Sequence, residues 1–388
     1  MNRLTSIDFL RGFVMVIMAL DHTRDLMHVD ALTQDPTNLA TTTPMLFFTR
    51  WITHLCAPTF VFLSGVSAFL SFQNQNNPDE SRRFMLKRGL WLIFLEFTVV
   101  NFGIWFDVSF GILMSQVIGT IGFGFIVLSL LSRFSPKTIG LIGLTIIFGH
   151  NLLANVNFPP GTALHYIWGY LFRLSFWQFP SKFIFFVNYP VIPWLGILLA
   201  GFGFGLYLRV PDAQRRKLFL QVGLAALSVF VLLRTFNLYG DTQPWNYAQK
   251  HWTYSILSFM NVNKYPPSLL FVCATLGVSL LLLYFFDGKT NRFTQTMRVY
   301  GKVPLFYYLI HWYVLHCLLL VLMLFQGFQW SELNFEPFGF GRPKTGGGVG
   351  LLGVYVIWLS VVAALYPLCA WYSRYKAAHP EQWWWRYL

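Results

Sequence analysis

Residues 6–25, SIDFLRGFVMVIMALDHTRD, hold six ionisable groups in an otherwise apolar run. Asp8 and Arg11 are three apart, so on a helix they share a face and can pair. Asp21 and Asp25 are four apart and share another face, while His22 points roughly 100° away from Asp21. A histidine titrates near neutrality and can serve as a general base. A carboxylate holding its second ring nitrogen would orient it, as in a catalytic triad. His54 stands at the outer start of the second apolar run, in THLCAPTFVFLSG. If the first two helices are antiparallel neighbours, His54 reaches the depth of His22. Asp21, His22, Asp25 and His54 then form the candidate catalytic cluster, with Asp21 and His54 orienting His22. A purely structural reading has these charges only pinning the first helix to its neighbours.

Other polar residues in apolar runs are candidates of a weaker kind. His311 and His316, in YLIHWYVLHCLLL, are five apart and face different directions, which argues against a two-histidine metal site. One of them can still face a cavity. Glu96 is a lone carboxylate within an apolar run, and burial without a partner is costly, so it is expected to meet an arginine or a histidine. Cys56, Cys273, Cys317 and Cys369 all sit in apolar stretches without metal or disulfide spacing and read as small hydrophobes. There is no Gly-rich phosphate loop, serine elbow or zinc spacing, so no metal is expected.

Long membrane-crossing helices must position these groups. Of the 388 residues, 55% are hydrophobic and 11% charged, against roughly 25% charged in soluble chains. Apolar runs reach the length of about 20 residues that spans a bilayer. They predict an all-α polytopic bundle forming one domain over 1–388. About ten helices are expected: 6–28, 47–72, 84–104, 113–132, 138–155, 190–209, 217–235, 268–286, 303–325 and 349–372. The aromatic stretch 164–187, interrupted by Arg173, Pro180 and Lys182, is read as interfacial, re-entrant or an eleventh span. With the N-terminus in the cytoplasm, every inside loop is basic: Arg82, Arg83, Lys87 and Arg88; Arg133 and Lys137; Arg209, Arg215, Arg216 and Lys217; Lys289, Arg292, Arg298 and Lys302. This follows the positive-inside rule and puts both termini in the cytoplasm. The net charge of +13 is thus assigned to membrane topology, not to nucleic acid. The terminal WWWRY reads as an interfacial anchor.

Two motifs carry a resemblance. RLTSIDFLRG followed by an apolar helix, then APTFVFLSGVS, resembles the membrane acetyltransferases related to heparan-α-glucosaminide N-acetyltransferase, above all their bacterial branch. KRGLWLIFLEF, SQVIGTIGFGFIV, YPVIPWLGILLAGFGFG and YGKVPLFYYLIHWYVLH fit the same pattern. The first helix is also similar to acyltransferase family three, whose D-x-x-R-G and following histidine are matched by Asp8, Arg11, Gly12 and His22. There the histidine is catalytic, and the resemblance implies the same for His22. In the heparan-modifying enzyme the position matching His22 is asparagine and the essential histidine lies in the next outer loop. His28 is therefore the alternative base.

The resemblance implies transfer of an acetyl or other acyl group from cytoplasmic acyl-CoA to an acceptor on the outer side, an amino sugar or cell-envelope glycan. Asp8, Arg11, Lys87 and Arg88 are the candidate donor site, since Arg and Lys suit CoA phosphates. Arg24, His28 and His311 are candidates on the acceptor side, where aromatic outer loops can stack on a sugar. The bacterial inner membrane is the expected location; a homo-oligomer is left open beside a monomer. The competing function is a secondary transporter or proton-coupled permease using Asp21, His22, Asp25 and His54.

Overall fold

The computed structural model describes residues 4–73, 77–379 and 381–382; the proposed WWWRY anchor lies outside them. The chain begins with α1 (Thr5–Met27), then a broken pair, α2 (Pro44–Thr53) and α3 (Cys56–Gln73). α4 (Pro78–Leu95) passes through a π-helical turn (Glu96–Val100) into α5 (Asn101–Trp105). Strand β1 (Ile112–Ser115) leads into α6 (Val117–Leu131) and α7 (Pro136–Gly149). Next come α8 (Ala163–Phe172) and the hairpin β2 (Ser175–Gln178) and β3 (Ile184–Val187). The remaining helices are α9 (Val191–Phe204), α10 (Asp212–Thr235), α11 (Trp252–Met260), α12 (Leu269–Phe286), α13 (Arg292–Lys302), α14 (Pro304–Phe325) and α15 (Leu351–Ala378).

Among the described residues, seven helical segments are long and apolar enough to cross a membrane: α2–α3, α4–α5, α9, α10, α12, α14 and α15. α1 has the length but too many charges, and α6 and α7 are short, at 15 and 14 residues. Together these correspond to the ten expected spans. The architecture is an all-α polytopic membrane bundle.

Four local features depart from the expected pattern. First, 164–187 is not an eleventh span. α8 has ten residues, about 15 Å of helix against a hydrocarbon core of about 30 Å. The rest pairs as a sheet of order β1-β3-β2, with β1 parallel to β3 and β2 antiparallel to it. This sheet also takes the first residues of the fourth expected span. Second, the second span breaks at His54 and Leu55. Pro58 has no N–H to donate and its ring crowds the carbonyl four residues back, that of His54.

Third, the segment read as a basic loop before 303 contains α13, which lies along the first half of α1. A Cβ on Gly12 would come within 1.7 Å of the Met297 carbonyl oxygen, and one on Gly301 within 1.8 Å of that of Asp8. The two backbones touch, so only glycine fits at either place. Pro304 then opens α14, where a missing N–H costs nothing.

Fourth, Glu96 meets neither an arginine nor a histidine. Fully buried in the π turn, its carboxylate accepts from the backbone N–H groups of Gln116 (2.5 Å) and Gly119 (3.0 Å). It caps α6 from a neighbouring helix, satisfying N–H groups that have no partner within α6 and facing the positive end of its dipole. Glu96→Leu leaves those donors bare inside the bundle, at about 1–3 kcal/mol each. Thermal unfolding in detergent is expected to fall clearly for Glu96→Leu and less for Glu96→Gln, which keeps one acceptor oxygen. A wild-type midpoint for the leucine variant would refute the capping role.

Candidate active site

The outer third of α1 directs its charges in two directions, as the 100° step between neighbours on a helix requires. Asp21 faces α2, where Arg50 donates to it at 2.5 Å, and Arg24 on its own helix approaches at 2.9 Å. Arg24 also pairs with Asp25. His22 turns instead to α14. Its Nδ1 lies 2.6 Å from Nε2 of His311, and its ring stacks on Trp312 at 3.9 Å. Nδ1 of His311 is 3.1 Å from the Tyr307 carbonyl.

This chain of contacts fixes the tautomers. A carbonyl only accepts, so His311 Nδ1 carries a proton and donates it to Tyr307. Neutral His311 then has a lone pair on Nε2, which accepts from the Nδ1–H of His22. The Nε2 of His22 is left with its lone pair, the form a general base needs. When that nitrogen takes a proton, His311 still holds the opposite side of the ring. The arrangement has the logic of a carboxylate–histidine pair with a second imidazole in the orienting position.

Three connected cavities run through the bundle, and His22 lines two of them. A basic cavity of about 980 Å³ is lined by Arg11, Ser67, Arg88, Lys302 and Lys376 among others. Arg11 near the start of α1 and Lys376 near the end of α15 therefore lie at the same end of the bundle. A central cavity of about 870 Å³ shares Phe60, Ser64, Arg88, Phe125, Pro304 and Leu305 with the basic one. Its middle is apolar, with Leu92, Ile118 and Ile121, and it reaches Asp21 and His22. A vestibule of about 840 Å³ at the opposite end shares five residues with the central cavity: Asp21, His22, Gln116, Tyr189 and Lys264. Those five form a neck between the two compartments. The vestibule wall carries Trp105 stacked on Phe340 at 4.6 Å, with Phe338 edge-on to Trp105 at 5.3 Å.

The candidate residues from the sequence divide accordingly. His22 and Asp21 are at the neck, and Asp25 lines the vestibule with its side chain half exposed. Asp21 does not hold the ring of His22; its oxygens are engaged by arginines. His54 does not either. Displaced by the break at Pro58, it is buried edge-on against Phe271 at 5.4 Å and lines none of the three cavities. Arg24 and His311 line none of them, so neither stands where an acceptor would touch it. His28 is buried outside them as well, its backbone bridging Val349, and burial holds its imidazole below the usual pKa. On the donor side, Arg11 and Arg88 line the basic cavity and Asp8 pairs with Arg11 at 3.4 Å. Lys87 is exposed on another face of α4 and lines none of these cavities.

Sequence reasoning missed Arg50, Lys264, Lys302, Lys376 and the orienting role of His311. Arg50 had a legible signal: an arginine in a spanning run needs a carboxylate partner. The pairing of His22 with His311, 289 positions apart, had none.

The bundle thus encloses a polar internal site with separate cavities toward its two ends. Residues 3–239, more than half of the chain, match the family described as heparan-alpha-glucosaminide N-acetyltransferase, catalytic. The chain belongs to that family of membrane acetyltransferases. No curated protein matches it.

Proposed function

We propose that the protein moves an acetyl group from acetyl-CoA, held in the basic cavity at the cytoplasmic end, to an amine or hydroxyl of a sugar entering the vestibule from the other side of the bacterial inner membrane. The observation that carries this reading is a central cavity that joins the basic cavity at one end and meets the aromatic vestibule at the oriented His22 at the other. Arg11, Arg88, Lys302 and Lys376 suit the phosphates of CoA, and the apolar central cavity suits a pantetheine arm. Trp105, Phe338 and Phe340 offer faces on which a sugar ring can stack.

In the reaction, the acceptor's lone pair attacks the thioester carbonyl carbon and the carbonyl π pair moves to oxygen. His22 Nε2 takes the acceptor's proton. Collapse of the intermediate re-forms the carbonyl and breaks the carbon–sulfur bond, and the departing thiolate takes the proton from His22. A proton-coupled permease is the competing reading, but the apolar walls of the central cavity make a poor wire for protons.

The testing experiment measures acetyl-CoA binding by the detergent-purified protein. Arg88→Ala with Lys302→Ala is expected to weaken it roughly 10²–10⁴-fold, from about 1.5–3 kcal/mol for each of the two lost bonds to a charged group. Lys87→Ala, on the exposed face, should leave it within about twofold at matched salt. If intact protein does not bind acetyl-CoA, the acetyltransferase reading fails.

A further inference from the structure

Donor and acceptor reach the neck from opposite sides, so the carbonyl under attack has to sit among its five residues. When the acceptor adds, a full negative charge develops on the carbonyl oxygen, and a preorganised cation there is the strongest single aid to such a step. Asp21 is taken up by Arg24 and Arg50. Gln116 lends its amide to Met114 Sδ and its backbone N–H to Glu96. His22 is the base and Tyr189 is a phenol.

Lys264 is the cation of the neck. It is 7% exposed, lines both compartments, and lies outside the segment that matches the family. Among the described residues no carboxylate lies within ion-pair distance of it. Its ammonium is 5.0 Å from the centre of the Tyr265 ring. The loop that carries it is tightly built: the Asn263 N–H and the Ser268 hydroxyl both donate to Asp241, at 2.9 and 2.8 Å. Arg234 grips the end of α11 through the carbonyls of Phe259, Ser258 and Asn261. The buried ammonium is thus mounted on a fixed base.

We propose that Lys264 is a catalytic residue of the acetyl transfer, its ammonium donating to the thioester oxygen and stabilising the oxyanion of the tetrahedral intermediate. This rests on the acetyltransferase reading above. The electron pair that moves onto oxygen in the addition step is the charge it meets, and the pair returns to carbon when the thiolate leaves. Lys264 itself neither gains nor loses a proton.

The test uses the full-length protein in detergent, with acetyl-CoA labelled with ¹³C at the carbonyl and glucosamine as the acceptor probe, release of the CoA thiol reporting turnover. In wild type the bound carbonyl stretch is expected to move to lower frequency than in free acetyl-CoA, because the ammonium polarises it. Lys264→Met should abolish that displacement and cut kcat about 100-fold while leaving acetyl-CoA affinity within about threefold, which also certifies the fold. Lys264→Arg should recover part of both. A bound carbonyl unshifted in wild type, a kcat within threefold in Lys264→Met, or a loss confined to the KM of glucosamine would each overturn the proposal. Should Lys264→Met not bind acetyl-CoA, the wild-type and Lys264→Arg spectra decide. Absence of acetyl-CoA binding or thiol release in wild type would instead sink the acetyltransferase reading.

Discussion

His22→Ala is expected to lower the rate of acetyl transfer by roughly 10²–10⁴-fold, the range for a lost general base, with acetyl-CoA binding nearly unchanged. The side chains proposed to hold the CoA phosphates line the basic cavity, which His22 does not, so affinity and turnover should separate cleanly. His311→Ala is expected to cost turnover to a similar degree although its ring lines none of the three cavities. Without it the Nδ1–H of His22 loses its acceptor, and the ring is free to present the protonated nitrogen to the neck. His311→Gln, whose side-chain oxygen can accept that proton, should be milder. His54→Ala is the control, since His54 is buried edge-on against Phe271 away from the cavities. A His311→Ala enzyme with wild-type kcat would show that the tautomer of His22 is set otherwise. A loss in His54→Ala as deep as in His22→Ala, with binding intact, would return His54 to the chemistry.

Gly301→Val is expected to have the largest effect on the folded state. Even its Cβ would sit 1.8 Å from the Asp8 carbonyl oxygen, where ordinary contact begins near 3.4 Å. α13 would have to move off α1. Adding bulk to a packed core typically costs about 1–3 kcal/mol, and here the obstacle is backbone that cannot rotate away. The shift would also remove the Gly301 carbonyl to which Arg11 donates at 3.3 Å. Size-exclusion profiles and thermal unfolding in detergent should show little monodisperse protein. Gly301→Ala should be intermediate. A wild-type unfolding midpoint for the valine variant would mean the two helices are not in contact.

The local physics of the bundle was legible in the sequence. Spans could be read from apolar length, and charge spacing on α1 gave the angle between Asp21 and His22. The motif glycine at 12 was visible, though its reason was not: α13 touches it from nearly 290 residues away. Where the reading failed, a partner distant in the chain decided the outcome. Glu96 finds the end of α6 instead of a cation, because exposed N–H groups are as good a partner as arginine and leave no trace in spacing. His54 was assigned by depth, which Pro58 altered. Lys264 gave no signal, because burial of a loop lysine depends on what folds over it.

The pairing of His22 with His311 has a consequence for biosynthesis. α1 leaves the ribosome ahead of its partner helices, carrying charges that are costly in lipid. Arg50 arrives soon after to meet Asp21, but α13 and the orienting histidine are made only in the last quarter of the chain. The nascent protein therefore holds a half-built centre through most of its synthesis and completes it when α13 and α14 dock. A chain cut short anywhere before residue 311 would be inserted, charged and inert, a natural target for membrane quality control.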